Sequence, residues 1–120
     1  MKWIWSSLLV TLIMLPLACQ ARPNQEGVYE VLGVGTMLCE GWTKNRADKD
    51  NDRNFISGAW VQGYLTAANV FGDGPSHLAE GTDAESIMTW IDNYCAQRPG
   101  DPLTAAAKSL VNELTKKATP

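Results

Sequence analysis

The sequence predicts an all-α fold: a compact four-helix domain held by one disulfide, within a chain of 120 residues. Two stretches after residue 82 repeat their apolar residues with the spacing of amphipathic helices. A third stretch, about Asp52 to Phe71, is apolar on more than one side and long enough for a helix. Two cysteines, Cys39 and Cys95, fall at inward positions of different helices. We therefore expect a single helical domain over residues 22–120.

Residues 1–21 differ from the rest and are typical of a secretory signal peptide. Lys2 gives a positive start, residues 3–17 are almost entirely apolar, and the small-x-small site Cys19-Gln20-Ala21 predicts cleavage before Arg22. A retained anchor helix is the less favoured alternative, because the apolar stretch is short for a membrane span. The segment predicts a periplasmic or secreted protein.

Cys19 offers a second processing route. It follows Leu17-Ala18, as the modified cysteine does in bacterial lipoproteins, although Pro16 stands where that pattern favours leucine. Lipidation would anchor the chain to the membrane through Cys19. Either route leaves two cysteines, Cys39 and Cys95, in the mature chain.

The charge balance argues against a nucleic-acid partner. Removing residues 1–21 takes away one lysine and leaves 9 basic and 13 acidic side chains, a net charge of −4. Such a chain lacks the basic patch that phosphate backbones attract.

The first elements of the mature chain are short. Residues 28–32 alternate loosely, which is typical of a short strand or an extended arm. Gly33 and Gly35 interrupt this pattern. Thr36 is then placed to cap a short helix. That helix carries Leu38, Cys39 and Trp42.

The second helix, about Asp52 to Phe71, has two apolar faces. One consists of Ile56, Trp60, Gly63, Ala67 and Phe71, and the opposite one of Val61, Leu65 and Ala68. A helix that is apolar nearly all round is usually central and buried. Its polar exception is a strip at i, i+4 and i+7, formed by Gln62, Thr66 and Asn69.

The third helix has a start signal, an apolar face and a stop signal. Thr82-Asp83-Ala84-Glu85 has the form of a capping box, in which Thr82 caps the helix and Glu85 reaches back. Pro99-Gly100 ends the helix. The residues of its apolar face are Ile87, Trp90, Ile91, Tyr94 and Cys95.

The fourth helix follows at once. Asp101-Pro102 fits an N-cap and first helical residue, and Lys116 and Lys117 suit the negative C-terminal end. Its apolar face consists of Leu103, Ala106, Ala107, Leu110, Val111 and Leu114. The first three helices each contribute one tryptophan, and we expect all three to anchor the core.

Cys95 could in principle be a nucleophile, a metal ligand or half of a disulfide. His77 is the only histidine and has no local link to Cys95, and two cysteines with one histidine lack a fourth zinc ligand. Pairing is the usual state of two cysteines in an exported chain. We therefore predict a Cys39–Cys95 disulfide.

The acidic residues do not predict a metal or a catalytic site. Asp48, Asp50 and Asp52 match the start of a calcium loop, but Arg53 and Ala59 stand where the turn glycine and the bidentate glutamate belong. Asp92 and Asn93 lie on the flanks of the third helix, at exposed or rim positions. The sequence has no hydrolase, metalloprotease or phosphate-loop motif. We expect a protein that is not an enzyme and that carries neither cofactor nor metal.

Four segments carry a family resemblance: GVGTMLCEGW, WVQGYLTAAN, WIDNYCAQRP and AAAKSLVNEL. Their layout resembles the Rap/Tai-type immunity proteins of the type VI secretion system. The parallels are Gly63-Tyr64, Tyr94, Pro99, Ala106, Leu110, Val111 and Leu114. The resemblance implies an all-helical periplasmic protein that binds and neutralises a cell-wall-degrading or similar toxin.

The alternative is a stress chaperone resembling the HdeA-like acid-stress proteins, which are also small, exported, helical and held by one disulfide. Both hypotheses require a protein partner, and a homo-oligomer is left open. The polar strip of Gln62, Thr66 and Asn69 has two interpretations: bonding within or at the rim of the bundle, or binding to a partner, since unpaired buried amides are costly. We favour structural bonding, because a central helix has little free surface.

Overall fold

The computed structural model describes residues 29–48 and 52–119, which form four α-helices and one 3₁₀ turn. The turn is Gly33–Thr36, and the helices are α1 (Cys39–Ala47), α2 (Asp52–Phe71), α3 (Ala84–Gln97) and α4 (Leu103–Ala118). The all-α prediction is confirmed, and no strand occurs within these ranges. The predicted signal peptide, with Cys19, and Val28 of the predicted arm lie outside the described residues.

The start of α3 differs from the predicted capping box. Asp83, rather than Thr82, is the N-cap, and its side chain accepts a hydrogen bond from the Ser86 amide at 2.7 Å. This bond to the amide lowers the pKa of the Asp83 carboxyl. Glu85 reaches sideways to Arg46 of α1 instead of back along its own helix. The sequence pattern was therefore right about the helix and wrong about the capping residue.

The first backbone amides of α1 and α4 each donate a hydrogen bond to a carbonyl just before the other helix. Thr36 ends the 3₁₀ turn instead of capping α1, and Leu38 and Pro102 are the N-caps of α1 and α4, without side-chain cap bonds. The Cys39 amide donates to the Asp101 carbonyl and the Leu103 amide to the Met37 carbonyl, both at 2.8 Å. These bonds use amides that a helix start leaves without an intrahelical partner.

A disulfide fixes α1 to α3 in the middle of the core, as the sequence predicts. The Cα atoms of Cys39 and Cys95 are 4.8 Å apart, within the range of natural disulfides, and both side chains are buried. The surrounding core includes Trp42, Val61, Leu65, Ile91, Leu103 and Leu110. Of the three tryptophans, Trp42 is completely buried, whereas Trp60 and Trp90 pack against the core and stay partly exposed.

Asp92 has more partners than its rim position predicts. Its Oδ1 accepts from the indole N–H of Trp42 at 2.7 Å, and its carboxylate also binds Arg46 Nε and Nη2 at 2.9–3.1 Å. The bond to Asp92 is the main reason why the pKa of Arg46 is raised. Asp92 therefore holds α1 and α3 together beside the disulfide, while Asn93 is exposed.

The expectation that α2 is central and buried is wrong. This helix packs against α1, α4 and the 3₁₀ turn. Only Ser57, Gly58, Val61 and Leu65 of α2 are buried. The helices α1, α3 and α4 also pack on one another, through the α1–α3 and α3–α4 contacts. Among the described residues, nothing covers the side of α2 that faces away from these helices.

Candidate functional site

The exposed side of α2 is an apolar surface, which we call the outer face. Its largest members are Phe55, Ile56, Val70 and Phe71, which are 80%, 50%, 63% and 84% exposed. Between them lie Ala59, Gln62, Gly63, Thr66 and Ala67, all exposed. Scattered exposed apolar residues are ordinary, but a contiguous apolar patch on one helix typically marks a binding site.

The middle of the outer face is flat because its residues are small. Gly63 occupies the centre, and a Cβ atom added there would meet nothing within 4 Å. Ala59 and Ala67 lie one helical turn before and after it. The large side chains stand at the two ends of the helix, so the face has a shallow centre with a raised end on either side.

Two of the three predicted polar-strip residues lie on the outer face. The Gln62 side chain donates to the Gly58 carbonyl at 3.4 Å, and the Thr66 hydroxyl donates to the Gln62 carbonyl at 2.9 Å. Both bonds stay within α2. The two side chains form a polar edge along the apolar surface, where they can give orientation to a bound partner.

Asn69 is used differently. Its side-chain oxygen accepts a hydrogen bond from the Leu78 amide at 3.0 Å, in the connection between α2 and α3. Leu78 is 6% exposed and belongs to the core. Asn69 therefore helps to hold the α2–α3 connection against the bundle. The structure brings Gln62 and Thr66 together on the outer face and leaves Asn69 outside it.

The opposite edge of the outer face is closed by aromatic packing. The rings of Trp60 and Tyr64 lie with centroids 5.5 Å apart, and the Trp60 indole donates to the Leu32 carbonyl at 3.0 Å. A Cβ added to Gly35 would lie within 2.2 Å of the Trp60 ring, so the 3₁₀ turn needs glycine there. Burial raises the pKa of Tyr64. This contact covers Trp60 and defines where the outer face ends.

Sequence reasoning overlooked the large residues of this face. Phe55 and Val70 were not assigned to any site, and Ile56 and Phe71 were assigned to a buried face. One signal was available in the sequence: three small residues spaced by four, Ala59, Gly63 and Ala67, on a helix with two apolar faces.

No family model, curated protein or solved structure matches this chain. Within residues 29–48 and 52–119 no helix is long and apolar enough to cross a membrane. The same ranges contain no group of three or more histidine, cysteine or acidic residues arranged to hold a metal ion. Asp50 of the rejected calcium loop lies outside them. The outer face is thus the surface to which we assign a function.

Proposed function

We propose that this protein is a non-enzymatic exported protein that acts by binding another protein through the outer face of α2. The observation that carries the proposal is the exposure of Phe55 and Phe71 at 80% and 84%, on the same helix and with small residues between them. Interface centres are rich in aromatic side chains that bury large apolar areas. A polar edge such as that of Gln62 and Thr66 is typical of interface rims.

The specific form of the proposal is an immunity protein that neutralises a secreted toxin in the periplasm. The family resemblance in the sequence supports it, and so does the construction of the domain. The disulfide in the core and the Arg46–Asp92–Trp42 contacts fix α1 to α3, and neither uses a residue of the outer face. A binding helix on a rigid support loses little conformational entropy when it binds. The disulfide is also compatible with an oxidising compartment.

A stress chaperone is the second candidate, and one contact favours it. The Trp90 indole donates to Glu113 at 3.0 Å, and Lys117 binds the same carboxylate. Both contacts lower the pKa of Glu113. Acid that protonates this group removes its ion pair with Lys117 and weakens one contact between α3 and α4, which is the kind of acid response that a chaperone of this class requires.

Site-specific photo-crosslinking in the source organism tests the proposal. A benzophenone amino acid is introduced at Thr66, on the polar edge of the outer face, or at Asn93, which is exposed on α3. We expect Thr66 to give an adduct with one defined second protein, identified by mass spectrometry, and Asn93 to give none. Many different adducts at Thr66 would support the chaperone instead. Equal adducts at both positions, or none at Thr66, would contradict the proposal.

A further inference from the structure

We propose that, when no other partner is bound, the outer face is covered by the outer face of a second copy of the chain. The two α2 helices run antiparallel about a two-fold axis at Gly63. The inference rests on the proposed function only in taking this face as the binding surface, and it adds a regulatory step: a heterologous partner has to compete with self-association.

The arrangement of side chains around Gly63 is nearly palindromic. Ala59 and Ala67 lie four residues before and after it, Ile56 and Val70 seven, and Phe55 and Phe71 eight. Each pair is of the same chemical class and is exposed. A two-fold interface requires a surface that is complementary to itself. The outer face has this property.

An antiparallel pairing uses the palindrome directly. With the two-fold axis at Gly63, a residue that precedes Gly63 by a given number of positions lies level with the residue of the other copy that follows Gly63 by the same number. Ile56 then meets Val70 of the partner subunit across the seam. Phe55 lies level with Phe71 of the partner subunit, on the opposite margin of the seam. The glycines meet at the axis, where the absence of side chains lets the backbones approach to about 8 Å between helix axes.

The antiparallel pairing also sets the two helix dipoles side by side in opposite directions, which is the favourable orientation.

The area of the outer face is of the size that a dimer needs. At about 200 Å² for a phenylalanine side chain, Phe55 and Phe71 alone present roughly 330 Å² per copy. With Ile56, Val70 and the small residues the face reaches on the order of 600 Å² per copy, which is large for an uncovered patch. The polar edge of Gln62 and Thr66 brings it towards the about 800 Å² per partner of a standard interface.

The printed residues that lie after the expected cleavage site and outside the described ranges are poorly suited to cover this face. With cleavage before Arg22, the residues outside the described ranges are 22–28, 49–51 and Pro120, with the sequences RPNQEGV, KDN and P. Val28 is the only large apolar residue among them. A second copy, which offers four large apolar side chains in matching positions, is the better occupant.

Sedimentation velocity of the purified mature chain alone tests the association. We expect a mass of two chains at about 100 µM and dissociation on dilution. Ala59→Glu on the outer face should raise the dissociation constant roughly tenfold or more, because the charge loses water in an apolar seam. Ala96→Glu, at an exposed position of α3, is the matched control and should leave it unchanged. A monomer at every concentration, or equal effects of the two variants, would overturn the proposal.

Cysteine cross-linking tests the register. Gly63→Cys should form a disulfide-linked dimer under mild oxidation, because the two positions meet at the axis. The larger side chain holds the helix axes about 9–10 Å apart, which puts the two Cα atoms about 5 Å apart, within the range of a disulfide. Ala59→Cys alone should not, since its two copies lie about 12 Å apart along the seam, but it should cross-link when mixed with Ala67→Cys. Cross-linking of Ala59→Cys alone, or none with Gly63→Cys, would overturn the antiparallel register. Neither experiment involves a heterologous protein, so its failure is distinguishable from failure of the proposed function.

Discussion

Replacement of Gly63 by alanine should stabilise the single chain. Glycine in a helix interior is less favourable than alanine by about 1 kcal/mol, because the unfolded chain loses more conformational freedom. At Gly63 the added methyl group meets nothing within 4 Å, so no steric cost reduces this gain. We expect Gly63→Ala to raise the free energy of unfolding by about 1 kcal/mol, or Tm by about 4–8 °C for a domain of this size.

The matched control lies in the same helix. A Cβ at Gly58 would lie 3.3 Å from Met88 Sδ, tighter than ordinary contact, so Gly58→Ala forces this core side chain to shift. Urea unfolding followed by circular dichroism measures both variants, at concentrations low enough for the chain to be monomeric. Gly63→Ala should exceed Gly58→Ala in stability. If Gly63→Ala lowers the free energy of unfolding, or raises it no more than Gly58→Ala does, then position 63 is covered in the single chain. The assignment of an uncovered outer face would then be wrong.

Three further predictions concern the support of this face. Removing the Cys39–Cys95 disulfide, whose cysteines are 56 residues apart, should lower the free energy of unfolding by about 4 kcal/mol in denaturant titrations; two free thiols in unreduced mature protein, seen by mass spectrometry, would contradict the bond itself. Asp92→Ala should lower the free energy of unfolding by about 2–3 kcal/mol, because a buried indole N–H and an arginine lose their acceptor. Glu85→Ala, at a carboxylate that is 74% exposed, should change it by no more than about 0.5 kcal/mol. Equal losses in the two variants would refute the role of Asp92. The pKa of Glu113 is lowered in the folded chain. Its contribution to the free energy of unfolding is therefore fully present when the pH is above the pKa of the unfolded chain, and it is lost as the pH falls through the pKa of the folded chain. The Tm of Glu113→Gln should therefore fall less steeply as the pH is lowered than the Tm of the unchanged chain. Identical slopes of Tm against pH would exclude Glu113 as a source of the acid sensitivity.

The helices of this fold follow from their sequence pattern. The bounds of α2 agree with those predicted, and α3 and α4 begin within one or two residues of their signals. The disulfide also follows, since the mature chain expected from the sequence has two cysteines, both at inward positions of their helices. Finer features depend on tertiary contacts: Asp83 replaces Thr82 as the cap, and the α1 amides bond to carbonyls of the α3–α4 corner, more than fifty residues away. Local sequence does not record such pairs.

The candidate site was predictable only in part. Gln62 and Thr66 stood out because they are polar on an apolar helix, and they do lie on the outer face. The apolar residues beside them were assigned to a core, because an amphipathic pattern shows that a helix has an apolar side but not what covers it. Phe55 and Val70 therefore became visible as site residues only when the packing of α1, α3 and α4 was known.

Covalent footprinting shows directly whether a partner covers the outer face. Photo-generated carbenes label exposed side chains, and mass spectrometry reads the labelling of Phe55 and Phe71 in the dilute isolated chain and in the intact exported compartment. Tyr29, which is 60% exposed and lies outside the outer face, is the internal control. We expect strong labelling of both phenylalanines in the dilute chain and at least several-fold protection in the compartment, with Tyr29 unchanged. Equal labelling of Phe55 and Phe71 in the two settings would show that nothing binds this face and would contradict its role as a binding surface.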